Sequence, residues 1–474
     1  MSNVARAVAA GCLIAALFAL LFGCGQSVAP TAQTAKVRFI INWPTSEAGA
    51  RIIPPETALI RITVRGTTTA VAPILVPRPL GEPQSLVEVD IPPGPNIRFS
   101  AVAEDAYGSP LAWATTLQEI VAGQTNDVVL TLSTEQPPLL PTVPIVFVSD
   151  RDGQGEVYRM EGDGVFQTKL SSDLGHCDGA AWSPAAGLIA FHANGDGDNE
   201  IYVMDANGQN LRKLTNNQAN DYNPVWSPDG TMIAFQSDRD GTIDIYVMNA
   251  DGTGQRRLTQ STQGASFAPR WDPSGSGRIV FESTRDSDPS ALNIELYVIH
   301  YTSTPSGGQD SATRLTNAAG TDGSACWAPD GSRIAFRSQR DGAGGVADSE
   351  IWTLDPNDPF NTLVQLTDNA AEDKSPLYTP DGNYILFNSD RDGDLDIFIM
   401  NAADGSNQTK LSGGAGSGSD IQFMPLPPNG EKIVFVSQRD GNSEIYVMDG
   451  DGAHPMRLTY ANADDRLPQW LYTP

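Results

Sequence analysis

Ile233–Tyr246 reads IAFQSDRDGTIDIY. Two short apolar runs flank an Asp-Gly turn, in which Gly takes positive φ cheaply and Asp bonds back to its own backbone. PVWSPDG (224–230) precedes this stretch; IYVM (245–248) and RLT (257–259) complete it. Four strand-like pieces joined by tight turns make one antiparallel sheet. The apolar residues fall on both faces, so the sheet has to be covered on both sides.

The unit recurs. Ile145–Tyr158 reads IVFVSDRDGQGEVY and Ile189–Tyr202 reads IAFHANGDGDNEIY; Ile385–Phe398 is ILFNSDRDGDLDIF and Ile433–Tyr446 is IVFVSQRDGNSEIY. Two stretched copies start at Ile279 and Ile334. Successive starts at 145, 189, 233, 279, 334, 385 and 433 lie 44 to 55 residues apart, a spacing that suits propeller blades. The copy at Ile145 has no Trp piece before it, and Pro468-Gln469-Trp470 has no copy after it. The C-terminal strand is therefore expected to complete the first blade and close a seven-bladed ring.

The pattern P-x-W-S-P-D-G, I-A-F-x-S-x-R-D-G, E-I-Y-V-M, R-L-T resembles the TolB-like, WD-repeat-like β-propeller repeat over Ile145 to Pro474. Related repeats occur in the propellers of prolyl oligopeptidase relatives. The resemblance implies an envelope propeller that binds protein or peptide partners.

Ahead of the propeller, 36–133 carries period-two alternation: Val37, Phe39, Ile41 and Trp43, then Ile60 and Ile62, Val87 to Ile91, Ile97 to Ala103, and Val128 to Leu132. This predicts a small β-sandwich, similar to immunoglobulin-like or prealbumin-like domains. Residues 134–144 form a Pro-rich linker. At the start, an apolar run ends in Leu21-Phe22-Gly23-Cys24, which resembles a bacterial lipoprotein cleavage box. That implies a signal peptide over 1–23, lipid on Cys24 and a small polar tether over 24–35. The protein is then expected in the cell envelope, on the periplasmic face of the outer membrane or on the cell surface, as a monomer held through its lipid.

With 57 Asp and Glu against 30 Lys and Arg, the net charge is −27, which disfavours nucleic acid. Cys177 and Cys326 sit three repeats apart, too far for a disulfide. Asp221, Asp322, Asp373 and Asp465 each lie five residues before the aromatic of their blade. They are expected to ring the channel mouth as an acidic funnel for a partner, partly offset by Lys374 and Arg466. Asp238, Asp240 and Asp244 have D-x-D-G-x-x-D spacing, which suggests calcium, the one cofactor the sequence raises. Their alternative role is capping the turn. Trp182, Trp226, Trp271, Trp327 and Trp470, with Tyr378 and Phe423 at the matching places, are read as packing between blades.

No G-x-S-x-G elbow is present, and His176, His192, His300 and His454 fall at different repeat positions. His176, near a Trp strand, is the one kept in view for chemistry. The expectation is a non-catalytic, lipid-anchored scaffold. The alternatives are a carbohydrate-binding or lyase- or hydrolase-like propeller, and a calcium-stabilised structural module.

Overall fold

The computed structural model describes residues 34–42, 57–67, 69–77, 84–105, 110–132, 141–260, 264–286, 293–302, 310–340, 348–413 and 418–473. Cys24, its signal peptide, most of the tether and Trp43 lie outside them. The chain divides into two compact units, Met1–Pro137 and Pro138–Pro474.

The first unit has seven strands: β1 (Ala35–Asn42), β2 (Thr57–Arg65), β3 (Ile74–Pro77), β4 (Gln84–Ile91), β5 (Gly94–Asp105), β6 (Pro110–Ile120) and β7 (Thr125–Thr131). They form two sheets, ordered β4-β1-β7 and β3-β2-β5-β6. One core is shared by both, with Val37, Phe39 and Ile41 from the first sheet meeting Ile60, Ile62 and Phe99 from the second. The expected sandwich is therefore present. Sequence alternation missed β3 and β6. β3 is short, and PLAWATTLQEI in β6 is rich in helix-favouring Ala, Leu, Gln and Glu. Pairing along β5 overrides that local preference.

Seven four-stranded sheets make up the described part of the second unit. Blade 1 takes its innermost strand from the C-terminus: Asp465–Trp470 pairs antiparallel with Ile145–Ser149. Blades 2 to 7 run in chain order. In blade 3, strand a is Asp221–Trp226, strand b Met232–Ser237, strand c Asp244–Asn249 and strand d Arg256–Arg257; the same letters serve for every blade. Each a strand touches the preceding blade around the ring, and blade 1 touches both blade 2 and blade 7.

The repeat letters now have places. Ile233, Ala234 and Phe235 of strand b are fully buried, each facing one neighbouring blade or the other. In strand a the register slips between Tyr222 and Val225, and the other six blades slip at the same point. This bulge puts Asn223 at φ 51° and turns the middle of the strand toward the channel. The indoles stitch blade to blade. Trp226 Nε1 donates to Ala181 O at 3.1 Å, Trp271 to Val225 O at 3.1 Å and Trp327 to Arg270 O at 3.1 Å. Phe423 is a correction: Pro425 pairs with Ile433 where Trp470 pairs with Ile145, so Phe423 stands two residues earlier, at the place of Pro224.

Candidate functional site

The Arg of R-D-G folds back over its own blade. Arg239 Cζ sits 4.7 Å from the Tyr246 ring centre, its Nε donates to Ser237 Oγ at 2.9 Å, and its Nη2 meets Asp221 Oδ2 at 2.6 Å. Arg151–Asp465, Arg340–Asp322 and Arg391–Asp373 repeat this at 2.9, 2.8 and 3.0 Å. All four Asp side chains are 0% exposed. Spacing placed them at the channel mouth as a solvent-facing funnel. They are instead the first residues of their a strands, closed to solvent and committed to a guanidinium inside the blade. Such an array specifies blade geometry and presents no charge to a partner.

Sequence reading missed Asp420, which pairs with Arg439 at 2.8 Å in the same way. The signal that would have found it is distance from an aromatic, and blade 7 has Pro425 there. Blade 4 has Ser266 in place of the Asp; Arg285 bonds its Oγ and turns to Asp310 at 2.8 Å. Blade 2 has lost the whole set together: Cys177, Ala193 and Gly195 stand where blade 3 has Asp221, Ser237 and Arg239. Cys177 and Cys326 are both free thiols.

A second buried acid opens strand c in every blade. Asp244 accepts from Thr259 Oγ1 at 2.9 Å and pairs with Arg257 at 2.5 Å; burial raises its carboxyl above the ordinary range. Asp240 accepts the Tyr246 hydroxyl, and Asp238 accepts Asn220 N at 2.8 Å. Arg257 also reaches Asp240, at 3.5 Å, so of the three carboxylates expected to converge on calcium two share one guanidinium and Asp238 turns to Asn220. Among the described residues no three His, Cys, Asp or Glu side chains come together as a metal would require. His176 caps a strand approach, its Nδ1 accepting from Gly155 N at 2.9 Å.

In six blades a Lys or Arg of strand d neutralises the strand-c acid. Blade 5 has Gln365 at that place. Burial, then the negative charges of Asp373 and Asp348, push the Glu350 carboxyl up to about 7. Its value in the unfolded chain is 4.5, so between pH 4.5 and 7 the native state binds the extra proton. The stabilisation is full below pH 4.5 and is lost as pH rises through 7, an effect of about 3 kcal/mol. Glu350→Gln keeps an acceptor for Asn369 N, which Glu350 now binds at 2.7 Å. Melting temperatures from pH 4.5 to 8 should fall less steeply for Glu350→Gln than for wild type, with the variant ahead at pH 8. Parallel curves would show Glu350 ionised throughout.

One open feature of the ring lies on its inner wall. A cavity of about 650 Å³ is lined by Asp178, His192, Tyr222, Gln236, Phe267 and Arg270, with Pro224 and Pro269 among its apolar walls, a size suited to a small ligand or a few residues of peptide. Burial pulls the His192 imidazole down to about 4, so it is neutral at pH 7. These positions differ from blade to blade, which is why a search for repeated letters passed over them.

A closed ring of seven four-stranded sheets, a C-terminal strand in blade 1 and an inner-wall cavity define a β-propeller, in a chain that also carries a β-sandwich. Residues 166–264 match the family model for the TolB beta propeller domain, and the propeller is TolB-like. Among solved structures, TolB from Acinetobacter baumannii is 17% identical, covering 80% of each chain with a TM-score of 0.43. Puromycin hydrolase is 16% identical over 62% of this chain and 48% of its own, with a TM-score of 0.50. Oligogalacturonate lyase in complex with manganese is 14% identical over 67% and 86%, with a TM-score of 0.49. Identities this low concern the fold alone.

Proposed function

We propose that this protein is a non-catalytic scaffold of the cell envelope, anchored through Cys24, whose propeller channel receives a protein or peptide partner. The observation that carries the reading is the inner-wall cavity. It is open, combines apolar and polar lining, and sits at blade positions that closure of the ring leaves free to vary. The TolB-like repeat supports an envelope setting. The buried Arg–Asp pairs account for the charged residues that strand a shares between blades, so they need no separate ligand.

The test is cross-linking capture from native envelopes, with Ala181→Phe beside wild type. Ala181 lines the cavity, and a phenyl ring there obstructs part of it. A partner captured by wild type and lost with Ala181→Phe, at an unchanged melting temperature, supports the channel as the binding site. Equal capture by both would overturn it and move the search to the sandwich.

A further inference from the structure

The inner wall is cationic in a chain of net charge −27. Arg270, Arg337, Lys374 and Arg466 stand on strand a or on the facing position of strand b. Arg466 is held by Asp150 at 2.6 Å and Asp178 at 3.4 Å. The other three differ: among the described residues none of them makes an ion pair within 4.0 Å. Arg270 opens into the cavity and donates only to its neighbour's carbonyl, Pro269 O, at 3.3 Å. Arg270 and Arg337 both act on the charge of one acid, Glu282. Glu282 already accepts Ser324 N at 2.8 Å, and burial raises its carboxyl. Two guanidiniums therefore share one partly satisfied acid.

The neutral groups point the same way. His192 Nδ1 accepts from Asn223 N at 3.4 Å, which leaves Nε2 to carry the proton as a donor. Gln236, paired across from Tyr222, adds an amide donor to the lining. Asp178, the lining acid, is taken up by Gly179 N at 2.7 Å and by Arg466. A guanidinium, an imidazole N–H and an amide N–H, with the local acid occupied, make a donor-rich site. That set matches a carboxylate, which only accepts and which Arg grips in bidentate fashion. Pro224, Val225, Pro269 and the rings of Tyr222 and Phe267 give the apolar wall that a peptide backbone and aliphatic stems need. A low-dielectric channel focuses such a field and draws acidic partners in, even toward a chain that repels them elsewhere.

We propose that this cavity binds an acidic peptide segment of the partner, with Arg270 holding a carboxylate and His192 and Gln236 completing the donor set. The proposal rests on the channel being the binding site, and it reverses the charge that sequence spacing had assigned to that channel.

The test is fluorescence anisotropy with the full chain and a labelled tri-glutamate peptide at low salt, with tri-lysine and tri-galacturonate as comparators. Tri-glutamate should bind, tri-lysine should not, and added salt should weaken binding. Arg270→Ala should weaken it about ten- to hundredfold, the order of magnitude for losing a charge-assisted hydrogen bond. The Arg270 side chain is exposed, so melting should not change. Arg270→Lys should retain part of the affinity, because it keeps the charge and loses the fork. Absence of tri-glutamate binding, equal binding of tri-lysine, or an unchanged affinity in Arg270→Ala would each overturn the proposal. Tighter binding of tri-galacturonate than of tri-glutamate would replace the peptide with a uronate. If envelope capture depends on the cavity while tri-glutamate fails to bind, the channel reading stands and its acidic form falls.

Discussion

Arg239→Ala is expected to destabilise the propeller by about 3–5 kcal/mol, because it leaves the Asp221 carboxylate buried without its cation. Three observations set the size. Asp221 is fully buried. Its one other side-chain donor among the described contacts is Asn217 Nδ2 at 2.7 Å. The lost guanidinium also covers the Tyr246 ring and bonds Ser237. The control is Arg38→Ala in the sandwich, where Arg38 and Asp127 pair at 2.5 Å with both side chains well exposed; solvent screens a pair of that kind, so its loss should be far smaller. Urea unfolding of both variants against wild type reads the difference. A loss below 1 kcal/mol for Arg239→Ala would mean that water reaches Asp221.

Blade 2 supplies the companion experiment. Its Cys177, Ala193 and Gly195 show that a blade closes when acid, hydroxyl and cation are all absent. Removing both members of a buried pair leaves no orphaned charge. Asp221→Cys with Ser237→Ala and Arg239→Gly should therefore cost less than Arg239→Ala alone. The same reasoning governs any attempt to neutralise Asp221, Asp322, Asp373 and Asp465 together. Changing them to Asn takes the counter-ion from four guanidiniums at once, and lost partner binding in that protein would report lost folding.

The propeller was legible because closure imposes one set of letters on every blade: buried I-A-F, the D-G turn, the indole that reaches the neighbouring carbonyl. The same feature hid the candidate site. A residue that recurs, such as Asp221 and its equivalents, looks functional by repetition, yet repetition is the mark of a structural demand. Arg270, Gln236 and His192 each occur once at their positions, so nothing in the repeat draws attention to them. Their meeting depends on strand b packing behind the bulged strand a, a tertiary fact. Blade 7 shows the limit of a single marker: with Pro425 in the aromatic place, counting back from Phe423 misses Asp420. In the sandwich, β6 was hidden because its partner strand, and not its own composition, makes it extended.

The second large effect is expected at ring closure. Blade 1 is the blade built from both ends of the propeller, so its inner strand is held by no short loop to the rest of the sheet. Trp470 is 1% exposed, and its Nε1 donates to Met424 O at 3.0 Å in blade 7. Leu471 N donates to Pro144 O at 2.8 Å, and Trp182 of blade 2 donates to Tyr472 O at 2.9 Å. One strand thus touches three blades. Trp470→Ala should cost about 3–5 kcal/mol, as for other large buried aromatics. Deleting 465–474 goes further, since it bares the edge of Ile145–Ser149 and the apolar flanks of blades 2 and 7. An unpaired edge of that kind recruits other chains, so size-exclusion chromatography should show larger species or aggregate in place of the wild-type peak. A synthetic DRLPQWLYTP peptide added during refolding should restore the wild-type elution, because the missing strand carries its own pairing register. A truncated protein that elutes and melts like the parent would mean that the other six blades close without it, and that the C-terminal strand is an accessory to the ring.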